Sequence, residues 1–242
     1  MVDFEELGTV NGFFALRAGE SPGASGHVPL SRVYAGEQGP LAFRIDKVAA
    51  RLKAPERRVA ASIAHLGMVA RLWSVALGSA ALYGEVPDLA PEGLSWDPDG
   101  SSPDDLLLAP GGRTLPASAE SLRESVQEGH LVPLAEAFQR DGSISAQLLW
   151  GNAGSALAAA VTQLRLWARD MERPEVGKRA AVIAHGLFSH PDLNSTGALK
   201  AGAFRRNSCC LYYRCPAGGL CGDCVFDTPP RTSPRAPAGT PS

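Results

Sequence analysis

The sequence predicts a mainly α-helical protein with minor β structure (α+β), in which a helical body carries a small C-terminal segment of separate chemistry. Three observations predict it. The 242 residues are 45% hydrophobic and 20% charged, enough apolar material for a sizeable core. Two long stretches, Val59 to Tyr83 and Ser143 to Arg173, hold apolar residues at helical spacing. All five cysteines, Cys209, Cys210, Cys215, Cys221 and Cys224, fall within 16 residues near the C-terminus. The chain accordingly divides into a helical body over 1–199, a cysteine segment over 200–226, and a tail over 227–242. In that tail Pro229, Pro230, Pro234, Pro237 and Pro241 leave little to bury and predict disorder.

In chain order, Phe13 to Leu16 is a short apolar run that suits a strand, and Gly19 to Gly26 is a loop. Helical signal begins near Leu41 and strengthens after Pro55 and Glu56, which favour a first turn by fixed φ and by charge beside the positive end of the helix dipole. That helix runs to about Tyr83. It is apolar almost all round and long enough to cross a bilayer, which needs about 20 residues. His65 and Arg71 oppose a membrane span, since an unpaired arginine at mid-span costs about 2.5–3.5 kcal/mol on the lenient insertion scale. A buried core helix, with no transmembrane segment, is the expectation.

Residues 84–116 turn to Pro, Gly and Asp, with apolar runs at 94–96 and 106–108 on either side of Asp97, Pro98, Asp99 and Gly100, a hairpin pattern. Short helices follow at Ala117–Gln127 and Leu131–Arg140, ended by Gly142. A long helix then spans Ser143 to Arg173, where Pro174 stops it, and one more covers Glu175–Phe188.

The formal charge of −2 gives no global attraction for nucleic acid or anionic lipid, so no nucleic-acid partner is expected. The acidic start, Met1-Val2-Asp3-Phe4-Glu5-Glu6, lacks the basic and apolar regions of a secretory signal. An odd, clustered set of thiols is also a poor disulfide framework. A reducing, cytoplasmic compartment is expected, or one peripheral to the inner face of the membrane, with metal or redox chemistry at the thiols. Leaving out Cys215, their pattern is C-C-x10-C-x2-C. The Cys221-x2-Cys224 turn can converge two thiolates while backbone amides face the sulfurs. Four thiolates can hold zinc or an iron–sulfur cluster. The vicinal pair Cys209-Cys210 leans to the binuclear option, because adjacent side chains on extended backbone point to opposite faces and reach a single tetrahedral ion poorly.

This arrangement resembles the C-terminal [2Fe-2S] segment of the FhuF-like ferric siderophore reductases. The resemblance rests on the cysteine spacing with Arg205-Arg206 before it, Leu211-Tyr212-Tyr213-Arg214 within it, and Gly218-Gly219-Leu220-Cys221-Gly222-Asp223-Cys224 at its end. Leu149-Trp150-Gly151-Asn152, Arg57-Arg58-Val59-Ala60-Ala61-Ser62 and Ala70-Arg71-Leu72-Trp73 are similar to the family as well, so it extends over about Leu41 to Phe226, with specificity concentrated in the cysteines. The resemblance implies a [2Fe-2S] cluster held by Cys209, Cys210, Cys221 and Cys224. It also implies a ferric siderophore of hydroxamate type as substrate, and a separate protein or small reductant as electron donor. Cys215 lies outside the pattern and could replace one of the vicinal pair. No catalytic residue beyond the cluster is required. A zinc-stabilised binding or scaffold protein and an iron–sulfur redox sensor are the alternative functions.

Around the cysteines, Lys200, Arg205, Arg206 and Arg214 form a run free of acidic residues, which suits either stabilisation of a reduced cluster and docking of an acidic donor or a plain solvated basic face. Tyr212 and Tyr213 are expected to pack on the body rather than form a lip for the substrate. His27, His65, His130, His185 and His190 form no ligand pattern, and His65 is expected to be a core residue. Trp150 and Asn152 suit a plug and a helix cap as well as a specific role. Gly151-Asn152-Ala153-Gly154 lacks the glycine pattern of a phosphate loop, so no nicotinamide or flavin site is expected.

Overall fold

A computed structural model describes residues 2–19, 26–200 and 203–230. In chain order its elements are α1 (Phe4–Gly8), β1 (Arg17–Ala18), β2 (Val28–Pro29), α2 (Leu30–Tyr34), α3 (Gln38–Leu52), α4 (Arg57–Tyr83), β3 (Glu85–Pro87), β4 (Leu94–Trp96), β5 (Leu106–Leu108), β6 (Thr114–Pro116), α5 (Ala119–Leu122), a π-helical stretch over Arg123–Leu131, α6 (Val132–Asp141), α7 (Ala146–Asp170), α8 (Pro174–Phe188), α9 (Pro191–Asn194), β7 (Gly197–Lys200), β8 (Ala203–Arg206) and a single 3₁₀ turn at Tyr212–Arg214. The mainly helical expectation with minor β structure is met.

α4 is the axis. Twenty of its residues are buried, including Trp73, Leu77 and Ala80, because α3, α7 and α8 pack around it. It is the one helix among the described residues long and apolar enough to cross a membrane, and 78% of its most apolar window is buried inside the protein. The Arg71 that argued against a span is itself buried and finds an internal counter-ion. Its Nε donates to Asp105 2.8 Å away, and its remaining nitrogens donate to the carbonyls of Gly12, Phe13 and Ala15. Such a charge is tolerated in a core only because every face of the guanidinium is answered.

α4 begins one residue after Glu56 rather than on Pro55. α7 starts at Ala146 because the Ser145 side chain accepts the Leu148 amide as its cap. Pro174 ends the α7 region by opening α8, whose first position needs no amide donor. Two expectations are corrected. Phe13–Leu16 holds no strand: Phe13 and Phe14 lie in a turn, and the strand is the two-residue β1 just beyond Leu16, because Phe14 and Leu16 point into the core and Phe14 lies against Gly78 of α4. The two short helices over 117–140 are one continuous run, since wide i→i+5 turns through Glu128, Gly129 and His130 join α5 to α6. Those turns carry buried His130 between its two partners, the Leu89 carbonyl at 2.6 Å and the Tyr34 hydroxyl at 2.8 Å.

The β structure is peripheral. A four-stranded sheet in the order β1-β5-β4-β2 contains the 94–108 hairpin, with Leu94 opposite Leu108 and Trp96 opposite Leu106. β3 pairs with β6, and β7 with β8 in a hairpin that sets Gly197 opposite Arg206. The loop expected at Gly19–Gly26 and the disordered tail expected at 227–242 lie largely outside the described residues. The described part of the tail, 227–230, has no helix or strand.

Candidate metal centre

The β7–β8 hairpin delivers the cysteine segment onto α7 and the first turns of α4. Small residues make the approach possible. A β-carbon on Gly154 would lie 2.1 Å from Thr196 Oγ1 and 2.8 Å from Thr196 Cβ, and one on Gly151 would lie 1.9 Å from Ser208 Oγ. β8 ends at Arg206, whose amide donates to the Asp223 carbonyl (3.0 Å) and draws the Cys221–Cys224 turn alongside the strand. Leu211, in the left-handed region at φ 67°, then bends the chain immediately after the vicinal cysteines.

A buried polar chain fastens this segment to the body. Ser62 of α4 donates to the Cys210 carbonyl at 2.8 Å. Asn152 of α7 donates from Nδ2 to the Ser62 carbonyl (2.9 Å), and its Oδ1 accepts from Arg206 Nη2 (2.7 Å). Asn152 therefore sits inside the protein as a bridge, not at a helix end as a cap. Trp150 is half-buried against the core.

Two of the thiols are in direct contact. Cys210 and Cys221 have sulfurs 3.6 Å apart. Their mutual hydrogen bond holds Cys210 down to about 6 and pushes Cys221 well above the thiol range, so the two titrate as one unit. Cys209 is raised by burial and, in part, by the nearby thiols of Cys210 and Cys224, while the Leu211 amide and the Arg206 charge oppose the shift. Backbone amides face the sulfurs as the turn pattern suggested, Leu211 N–H to Cys209 at 3.2 Å and Phe226 N–H to Cys224 at 3.4 Å. Cys209, Cys221 and Cys224 are half-exposed; Cys210 and Cys215 are buried. Cys215 is raised by burial and then by Cys210.

Among the described residues, no three His, Cys, Asp or Glu side chains are gathered closely enough to hold one metal ion. The polar atoms around the thiols bear on what they could hold. Arg206 Nε and Nη1, Ser208 Oγ and Asp223 Oδ2 are all buried without a protein partner. A cation and a hydroxyl left unpartnered beside thiols are what an anionic, sulfide-bearing group would satisfy, whereas the Asp223 carboxylate oxygen would repel one.

The basic run is not a solvated face. Arg206 is 1% exposed, Arg205 pairs with Asp227 at 2.7 Å and donates to the Val225 carbonyl, and Arg214 pairs with Glu56 at the start of α4. The side chain of Lys200 lies outside the described part. Tyr213 is half-buried with its ring edge-on to Phe226 at 5.9 Å, and Tyr212 is half-buried too. His65 is buried, edge-on to Phe138 at 5.1 Å, as a core residue, although its Nδ1 lacks the hydrogen-bond partner expected of it among the described residues. His185 and His190 do not converge, since His190 caps α9 and contacts Gln127. Sequence reasoning missed the roles of Ser62 and Asn152. Their only signal was a polar residue within a small-residue helix.

A helical body with a C-terminal thiol cluster and unpartnered buried donors beside it has the make-up of an iron–sulfur protein. The profile described as "FhuF 2Fe-2S C-terminal domain" matches residues 206–226, and that described as "Ferric iron reductase FhuF-like transporter" matches residues 87–206. Together they take in more than half of the sequence, and the chain belongs to the FhuF-like family, with a [2Fe-2S] C-terminal domain. A relative described as "Ferric siderophore reductase" from Escherichia coli (strain K12) is 28% identical over 121 residues, which is 46% of this chain and 43% of that protein. The matched region thus spans under half the relative's length.

Proposed function

We propose that this protein is a [2Fe-2S] ferric siderophore reductase, which reduces Fe(III) held by a hydroxamate-type siderophore by one electron and releases Fe(II) in the cytoplasm. The observation that carries the reading is the clustering of Cys209, Cys210, Cys221 and Cys224 at a half-exposed edge, with Cys210 and Cys221 sulfurs 3.6 Å apart, inside the segment that matches the family's [2Fe-2S] domain. In this reading residues 1–199 form the body and 200–226 the cluster-binding segment. The ligands are Cys209, Cys210, Cys221 and Cys224, and Cys215 is a buried thiol outside the set.

When bound, a [2Fe-2S] cluster supplies a single electron at a potential set by its surroundings. Hydroxamate oxygens are hard ligands that hold Fe(III) far better than Fe(II), so reduction of the substrate is also its release. The chain's own residues then have limited tasks. Ser62, Asn152 and Arg206 hold the cysteine segment in place on α4 and α7. The half-exposed Cys209, Cys221 and Cys224 leave an edge open for outer-sphere contact with substrate and donor, whereas Cys210 faces the core. No acid, base or nucleophile is required, and the electron comes from a partner protein or small reductant.

The test is the visible spectrum of protein purified without oxygen, with iron and sulfide analysis, followed by mixing of the dithionite-reduced protein with a ferric hydroxamate and an Fe(II) chelator. Two irons and two sulfides per chain are expected, with reoxidation matched by captured Fe(II). A colourless protein with stoichiometric zinc would overturn the reading. A coloured protein that stays reduced and yields no Fe(II) would favour a redox sensor.

A further inference from the structure

We propose that Arg206, held in place by Asn152, is the residue that sets the reduction potential of the bound cluster, by keeping a fixed positive charge buried beside the Cys209 and Cys210 thiolates. The inference rests on the reductase reading above and deepens it. Arg206 is 1% exposed and pairs with no carboxylate among the described residues. Of its nitrogens, Nη2 is spent on Asn152 Oδ1 at 2.7 Å, while Nε and Nη1 are buried and unpartnered. A guanidinium is not left this way without cost, since an unanswered buried charge costs several kcal/mol. Its guanidinium lies by Ser208, the residue before Cys209: a β-carbon on Gly151 would meet Ser208 Oγ at 1.9 Å and Arg206 Nη2 at 3.1 Å. Asn152, which holds that Nη2, is bonded in turn to the Ser62 that donates to the Cys210 carbonyl. His65 lies close enough to feel the same charge but is itself neutral, pushed down to about 3 by burial first and by Arg206 second. Arg205 and Arg214 each close an ion pair with a carboxylate, which leaves Arg206 as the unpaired arginine of the segment, opposed by the buried carboxylate of Asp223 alongside it.

The physics has a definite sign. Reduction adds one electron, and so one negative charge, to the cluster. A cation fixed nearby in a low-dielectric setting stabilises the reduced form over the oxidised one and raises the potential. Arginine keeps its charge at any working pH and offers directional donors, which a lysine offers less well. Asn152 is the positioning residue. Fully buried itself, it fixes Nη2 from one side and the Ser62 carbonyl from the other, so the cation cannot swing to solvent.

The experiment is an anaerobic redox titration of the full chain with mediators, monitored by absorbance and by the electron paramagnetic resonance signal of the reduced state. It compares wild type, Arg206→Gln, Arg206→Lys and Asn152→Asp. Removing the charge in Arg206→Gln should shift the equilibrium at least tenfold toward the oxidised state, a fall of about 59 mV or more. Arg206→Lys should recover at least half of that shift. Asn152→Asp, which sets a carboxylate against the guanidinium, should lower the potential as well. Iron and sulfide per chain are measured for every variant, and potentials are compared per loaded cluster. A fully loaded Arg206→Gln with wild-type potential would overturn the proposal, as would a shift in Arg206→Lys as large as in Arg206→Gln, which would mark a packing effect. If Arg206→Gln does not load, Asn152→Asp decides, and an unchanged potential there overturns it. Wild type without a [2Fe-2S] cluster would sink the reductase reading itself. Loaded wild type with unresponsive variants sinks only the role of Arg206.

Discussion

Replacing Gly154 by alanine tests whether the site is held by close approach of β7 to α7. In an isolated helix this change is favourable by about 1 kcal/mol, because alanine loses less backbone freedom. Here the new methyl would sit 2.8 Å from Thr196 Cβ, as well as 2.1 Å from its hydroxyl. Rotating the threonine moves the hydroxyl but not the β-carbon. Thr196 is also pinned by its own bonds, donating from Oγ1 to the Leu193 carbonyl at 2.7 Å and accepting the Asn207 amide at 2.8 Å. The clash must therefore move the hairpin, at an overpacking cost of about 2–3 kcal/mol. Subtracting the helix gain leaves a net loss of about 1–2 kcal/mol, a fall in Tm of about 2–8 °C for a chain of this size. The assay is thermal unfolding of the anaerobically reconstituted protein, with iron per chain measured alongside. Gly154→Ala should melt lower and bind less iron. Adding Thr196→Gly should restore part of both, giving a favourable coupling in the double-mutant cycle. A Gly154→Ala protein that melts higher than wild type, with full iron, would refute the close-approach argument.

Three further outcomes are expected. Asp105→Ala strands the buried Arg71 charge and should cost about 3–5 kcal/mol in urea unfolding, whereas a loss below about 1 kcal/mol would show that the carbonyls of Gly12, Phe13 and Ala15 suffice. His130 is held neutral in the fold, its pKa pushed down to about 4 chiefly by burial, against the attraction of Glu92 and the bond to the Leu89 carbonyl. Because the unfolded chain binds the proton first, its contribution is complete above about pH 6.5 and is lost as pH falls toward 4, up to about 3 kcal/mol. His130→Gln should flatten that part of the stability–pH curve, and a curve as steep as wild type would remove His130 as its source. Cys215→Ser should keep wild-type iron and sulfide, while Cys210→Ser should lose them; cluster loss in Cys215→Ser would give Cys215 a place among the ligands.

The long elements were legible because one period dominates each of them. α4 and α7 carry uninterrupted helical spacing over 27 and 25 residues, and capping or proline chemistry marks their ends within a few positions. The weaker features depend on partners far away in sequence. β1 has two residues and exists by pairing with Leu107 and Leu108, so no local pattern could place it. The π-helical join between α5 and α6 follows from His130 reaching Leu89 and Tyr34, again a long-range bond. Charge was the least legible quantity. Arg205, Arg206 and Arg214 read alike in sequence, yet one is buried against Asn152 and two close surface pairs with Asp227 and Glu56.

The vicinal cysteines show how a local rule can become an argument about the site. Adjacent side chains leaving β8 must diverge, and they do: Cys210 turns inward to meet Cys221, and Cys209 stays at the half-exposed edge, where the Cys224 charge reaches it. The Leu211 bend and the Ser62 bond to the Cys210 carbonyl fix the backbone on which both thiols sit. Arg206, buried at the end of β8 and bonded to Asn152, is placed by the same strand. The spacing that marks the family and the cation that the spacing does not reveal are thus consequences of one strand ending at one place on α7.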